Sequence, residues 1–265
     1  MSVLHWRSRG DRARRQKGGR PAVVSPGKGK VGHLHCKKIA EQNSRQIRQA
    51  EHRATSKYWL KGLQSARLKR RIAAVIAPEV LLQGYRLGVF PMAMESGAIE
   101  WFSPDPRGIL PLADFHVPHA LQRVLRNGAF EIRIDTAFEK VMRRCAERPE
   151  TWINDELIES YTRLHALGGA HSVETWMEGK LVGGLYGVTL GGAFFGESMF
   201  HDVTDASKVA LCSLMERLRQ QRFVLLDTQW LTPHLQRFGA IEVSRREYMH
   251  LLTNAAALTR SFVKP

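Results

Sequence analysis

Residues 196–229, GESMFHDVTDASKVALCSLMERLRQQRFVLLDTQ, decide the architecture. Phe194, Phe195, Met199 and Phe200 crowd Glu197 and Ser198 with large apolar groups, so this segment reads as a buried strand whose carboxylate needs a partner. From Ser207 the apolar residues Leu211, Leu214, Met215 and Leu218 recur at helical spacing. Thr204 or Asp205 stands where the N-cap belongs, and the helix is expected to end near Gln221. Phe223–Leu226 is too short an apolar run for another helix and reads as a strand that delivers Asp227 and Gln229 to its far end. Strand, helix, strand thus brings two carboxylates and an amide to neighbouring strand ends. One such carboxylate satisfying backbone groups would be ordinary; three polar groups converging points to a site.

Outward from this stretch, charge divides the chain sharply. Residues 1–71 hold 20 of its 40 basic residues and 3 of its 25 acidic ones, so the remainder carries a net charge of −2. The excess of positive charge belongs to an extension whose composition, rich in Arg, Lys, Gly, Gln and Ser, predicts disorder over 1–57. That extension is either a phosphate-neutralising tail or an incidental one. Three cysteines, Cys36, Cys145 and Cys212, without metal-like or disulfide-like spacing fit a reducing compartment. His33-Leu-His35-Cys36 has no second ligand pair nearby, so no metal is expected. No apolar run reaches the length of a membrane span.

In chain order, Pro78–Gly88 predicts a helix with Pro in its first turn and Gly at its stop. Ile99–Phe102 reads as a strand, Ser103–Arg107 as a turn and Gly108–Leu110 as the next strand. Pro118 opens a helix to Asn127, in which Arg123 and Arg126, three apart, share a face. A solvated basic face is the ordinary reading of that pair. Phe130–Ile134 alternates as a strand, and helices are expected at Ala137–Ala146 and Asn154–Leu167. His171–Trp176 and Leu181–Val188 form a hairpin about Glu178-Gly179-Lys180. After the central stretch come a short helix at Thr232–Phe238, a strand at Ile241–Val243 and a helix from Arg245. This order predicts an α/β (α+β) fold: an acetyltransferase-like, mixed but mostly antiparallel sheet with flanking helices. The expected division is a basic extension over 1–71, a small N-terminal subdomain over 72–130 and a transferase domain over 131–265. The helix start at His201–Ser207 has two acids and no glycine, so it lacks the loop that would hold a CoA pyrophosphate.

The blocks GYRLGVFPM, WFSPDPR, TWINDELIESY, HSVETW, LVGGLYGV, FFGESMF, DASK, LLDTQW and TPHLQRFGAIEVSRREY resemble, in order, the leucyl/phenylalanyl-tRNA–protein transferase family. The resemblance covers about Pro78 to Leu252. It implies a cytoplasmic enzyme, needing no cofactor or metal and expected to be a monomer. Such an enzyme moves Leu or Phe, with Met as a further candidate, from aminoacyl-tRNA to proteins beginning with Lys or Arg and so marks them for N-end-rule degradation. It assigns catalysis and substrate orientation to Glu197, Asp227 and Gln229. By the same resemblance Leu185, Phe194, Met199, Leu211, Leu218 and Leu226 line the aminoacyl side-chain pocket, Trp152 stacks on the terminal adenosine, and Arg123 and Arg126 contact tRNA. Met92 stands where the family has a second aromatic. The competing expectations are another aminoacyl-tRNA-dependent acyltransferase of this fold, of the cell-wall peptide type, and an RNA-binding module. The expected chemistry has Asp227 polarising Gln229 or a water, while Glu197 holds the donor's α-ammonium.

Overall fold

Pro78 occupies the first turn of α1 (Pro78–Arg86), where its missing N–H costs nothing, and Gly88 follows the helix at φ 73°. The computed structural model describes residues 75–148 and 150–263, so the expectations for residues 1–71 lie outside it. Beyond α1, β1 (Phe90–Ala93) and β2 (Ile99–Phe102) pair antiparallel as a separate two-stranded sheet. Next come β3 (Arg107–Ile109), α2 (His119–Asn127), β4 (Glu131–Ile134), α3 (Phe138–Ala146) and α4 (Asp155–Ala166). The hairpin β5 (Ala170–Met177) and β6 (Lys180–Leu190), then β7 (Ala193–His201), α5 (Ala206–Gln220) and β8 (Leu225–Gln229), form the centre. The short α6 (Pro233–Gln236), β9 (Ile241–Val243) and α7 (Arg245–Ala256) complete the order. The main sheet runs β4-β5-β6-β7-β8-β3-β9; all its pairs are antiparallel except β7 with β8. The mixed, mostly antiparallel sheet expected from the element order is therefore present.

Helix caps follow the local sequence. Asn154 accepts from Leu157 N at the head of α4, and Ser244 from Glu247 N at the head of α7. Capping of α5 differs from expectation. Asp205 holds the N-cap position, but at φ 71° its carboxylate turns to Lys208 Nζ at 2.6 Å instead of the helix amides.

Neighbouring residues on the central strands face opposite layers. Leu185 joins the apolar cluster with α5, whereas Tyr186 packs edge-on to Phe138 of α3 and Tyr161 of α4. Likewise Phe194 faces the α5 cluster while Phe195 lies 4.7 Å, centroid to centroid, from Tyr85 of α1. Helix α5 buries Leu211, Leu214, Met215 and Leu218, its i, i+3, i+4, i+7 stripe, against the first of these faces.

Two local features shape the end of the β7–β8 pair. Gly108 of β3 lies opposite Gln229, and a Cβ there would fall 2.5 Å from the Trp230 carbonyl carbon, so only glycine permits this approach. The β6–β7 register shifts between Tyr186, opposite Ser198, and Gly187, opposite Gly196. Glu197 is left without a partner on β6, a bulge that re-aims its side chain.

Candidate active site

Strands β7 and β8 pair only from Ala193–Phe195 with Leu225–Asp227 and then part. Glu197 and Gln229 lie two residues beyond the last pair on their own strands. Gln229 Nε2 donates to Glu197 Oε1 across the opening at 3.2 Å. Ligands of open sheets containing parallel strands bind where such strands end and separate.

Glu197 also accepts from the Tyr85 hydroxyl at 2.7 Å, and that hydroxyl pairs with the hydroxyl of Tyr161. Burial pushes the Glu197 pKa up to about 8; the Tyr85 hydrogen bond pulls against this, and the charge of Asp227 adds to the rise. As a residue Glu197 keeps partial exposure, so an enclosed carboxyl group still borders open space. Burial, and then the charge of Glu197, raise the pKa of Tyr85 and Tyr161, so both phenols stay protonated.

Asp227 has no exposure, and its oxygens are filled. Arg107 grips it with two bonds, Nε to Oδ1 at 3.0 Å and Nη2 to Oδ2 at 2.7 Å. The Tyr248 hydroxyl donates to Oδ2 at 2.6 Å, and the backbone N–H of Gln229 donates to Oδ1 at 2.9 Å. Burial works against the Arg107 charge, but Asp227 outweighs it and raises the guanidinium pKa. The expected contact between Asp227 and the Gln229 side chain is thus replaced by one to its backbone. That contact holds Gln229 at φ 57°, a left-handed conformation that costs a residue with a side chain about 1–3 kcal/mol. Its carboxamide spends an N–H on Glu197 and keeps its oxygen as an acceptor.

The six residues expected to line the side-chain pocket come together in one apolar cluster. Leu185, Phe194, Leu211, Leu218 and Leu226 are buried, and Met199 is half-buried against them. Met199 also lines an open cleft of about 390 Å³, together with Arg144, Glu147, Arg148, His201 and Asp202. The apolar cluster and Glu197 belong to opposite faces of the sheet, and the parting of β7 from β8 is where one ligand can touch both. Trp152 is half-buried; its carbonyl accepts from Ala93 N at 3.0 Å, and the Arg148 guanidinium lies 5.9 Å from its ring centroid. Met92 is buried in β1. Arg123 and Arg126 are exposed on α2. Burial pushes the Cys145 and Cys212 thiols up to about 12, so neither is a nucleophile at neutral pH. No three His, Cys, Asp or Glu residues among those described converge in a way that could hold a metal. Among the described residues no helix is long and apolar enough to cross a membrane.

Sequence reasoning missed Tyr85, Arg107, Tyr161 and Tyr248. Arg107, expected in a turn, is the first residue of β3 and 1% exposed. A signal existed for each. The three tyrosines fall at apolar helix positions where a hydroxyl needs a partner, and Arg107 directly precedes a buried strand.

The model of the leucyl/phenylalanyl-tRNA protein transferase family matches residues 109–253, and that of its N-terminal domain residues 75–105. A leucyl/phenylalanyl-tRNA–protein transferase of Herpetosiphon aurantiacus is 55% identical over 71% of this chain and 98% of its own. Proteins of the same name from Gloeobacter violaceus and Paramagnetospirillum magneticum are each 54% identical over 71% of this chain, covering 97% and 92% of theirs.

Proposed function

Since the chain belongs to the leucyl/phenylalanyl-tRNA protein transferase family, we propose that it transfers Leu or Phe, with Met as a further candidate, from aminoacyl-tRNA to proteins whose first residue is Lys or Arg. The observation that carries this reading is the Glu197–Gln229 contact at the mouth of the β7–β8 opening, beside a closed apolar cluster.

The reaction is aminolysis of an ester. The acceptor's α-nitrogen bonds to the carbonyl carbon, the bond from that carbon to the ribose oxygen breaks, and the ribose oxygen leaves with a proton. Glu197 binds the donor's α-ammonium, whose positive charge draws the carboxyl pKa down from about 8. The free carboxamide oxygen of Gln229 accepts from the attacking amine and aims it. An amide is no base at neutral pH, so alignment of amine and ester supplies much of the rate. Asp227 acts through Gln229's backbone. Leu185, Phe194, Met199, Leu211, Leu218 and Leu226 receive an apolar aminoacyl side chain and offer an arginyl group no buried partner. Arg123 and Arg126 meet tRNA phosphates from the exposed face of α2. The proposed enzyme works in the cytoplasm as a monomer; in support, Glu197, Gln229, Asp227, Tyr85 and Arg107 come together within one chain.

Purified protein mixed with labelled Leu-tRNA or Phe-tRNA should label peptides beginning with Lys or Arg, but not Ala, in an RNase-sensitive manner. Absence of transfer to every peptide overturns the function. Trp152 stacks on the terminal adenosine, so Trp152→Ala should raise KM for aminoacyl-tRNA by an amount equivalent to about 1–3 kcal/mol, with kcat at saturation nearly unchanged. An unchanged KM in steady-state kinetics would remove Trp152 from the tRNA site.

A further inference from the structure

Strand β7 runs to His201, and β6 covers one of its edges all the way to that residue. On the other edge β8 pairs only as far as Phe195. From Gly196 to His201 this second edge carries no ladder among the described residues. Its parity follows from the antiparallel alternation: the Asp202 N–H reaches the Val182 carbonyl at 2.8 Å, so Phe200 and Ser198 also turn their polar groups toward β6. Met199 and His201 therefore turn theirs toward the opening. The Arg148 guanidinium agrees with this, because it sits on the Met199 carbonyl and on Ser198 Oγ. A side chain there occupies the place of a missing strand.

We infer that the acceptor protein's N-terminal segment lies extended along this strandless edge of β7, parallel to it, takes the Met199 carbonyl over from Arg148, and is recognised through its backbone. The inference rests on the transfer reaction proposed above. Three observations carry it. An unpaired strand edge is a template for an extended chain, with the main chain supplying hydrogen bonds. The edge starts at Glu197 and Gln229, so an amine placed there for attack leads its following residues along β7; Glu197 to His201 spans roughly 13 Å at about 3.3 Å per residue. The cleft beside this edge is lined by both signs of charge, with Arg144 bridged to Glu147 and Asp202. Such a lining selects no particular charge beyond the first residue, as an enzyme acting on many proteins requires.

Peptides beginning with Arg, each carrying one backbone N-methyl group at position 2, 3, 4 or 5, test this without altering the protein. A parallel partner offers its N–H groups to β7 at every second residue. Transfer from labelled Phe-tRNA should fall about tenfold in kcat/KM at alternate positions and stay near the unmodified value at those between, in keeping with the loss of one hydrogen bond. Side-chain replacements at the same positions should change it less than about threefold. A photo-crosslinking residue at position 3 should label residues 197–202. Equal transfer to all four N-methylated peptides, or labelling elsewhere, overturns the inference and leaves the edge to the tRNA 3′ end. Failure of the unmodified peptide to react at all would instead remove the transfer function itself, and the inference with it.

Discussion

Arg107→Met should cost about 3–5 kcal/mol of stability, out of the roughly 5–15 kcal/mol typical of a whole domain, because it strands a buried carboxylate. Asp227 has no exposure and cannot recruit bulk water. Tyr248 and the Gln229 N–H remain as donors, but neither carries the positive charge that balances the carboxylate. The same change should lower transfer, since Arg107 and Asp227 hold the left-handed backbone that places the Gln229 carboxamide. Arg107 is thus a positioning residue. The distinguishing measurement pairs Arg107→Met with Arg107→Met/Asp227→Asn. Removing both charges should restore much of the stability in urea denaturation, while kcat stays depressed and KM for aminoacyl-tRNA is little changed. A double variant that regained full turnover would show that the pair serves the fold alone.

Glu197→Gln should give the opposite combination, a more stable protein that transfers poorly. The Glu197 pKa of about 8 lies above its ordinary 4.5, so between those values the folded protein keeps a proton that the unfolded chain releases. The folded state then binds more protons than the unfolded one, and stability falls as pH rises through this window, levelling off above pH 8. Glutamine has no such titration, and its side chain still accepts from Tyr85 and Gln229. Thermal melts at pH 5, 7 and 9 should show the variant's advantage widening with pH. A gap that stays constant would remove the raised pKa. Transfer should drop in kcat/KM by the equivalent of about 2–5 kcal/mol through loss of the charge that pairs with the donor's ammonium. Near-normal turnover in both Glu197→Gln and Asp227→Asn would remove these carboxylates from the site.

Much of this site was legible along the chain. Glu197 and Gln229 meet beside Asp227, as an apolar strand, a helical stripe and a second apolar run in order suggest, but where β7 and β8 part; Glu197 lies in the middle of β7 and not at the strand end expected for it. The six apolar residues assigned to the side-chain pocket do share one cluster. What misled was the turn at Arg107. Proline on both sides of Asp105 suggests a surface loop; the buried strand that follows hints that Arg107 turns inward, but nothing local identifies its partner, a carboxylate 120 positions away. Tyr85, Tyr161 and Tyr248 have the periodicity of core residues, and the partners of their hydroxyls are distant in the chain: Tyr85 bonds to Glu197, 112 positions away, and Tyr161, while Tyr248 bonds to Asp227.

Period, capping residues and glycine stops are properties of a few consecutive residues, so sequence is enough to place the helices and the strands of the main sheet in order, though not β1, whose Pro91 breaks the pattern of a strand. Which residues meet is a matter of register and long-range packing. The bulge at Glu197, the early parting of β7 from β8 and the Arg107–Asp227–Tyr248 cluster each join segments far apart in the chain. Only closure of the sheet brings those segments together, and only burial then gives Glu197 its raised pKa and leaves one edge of β7 without a strand.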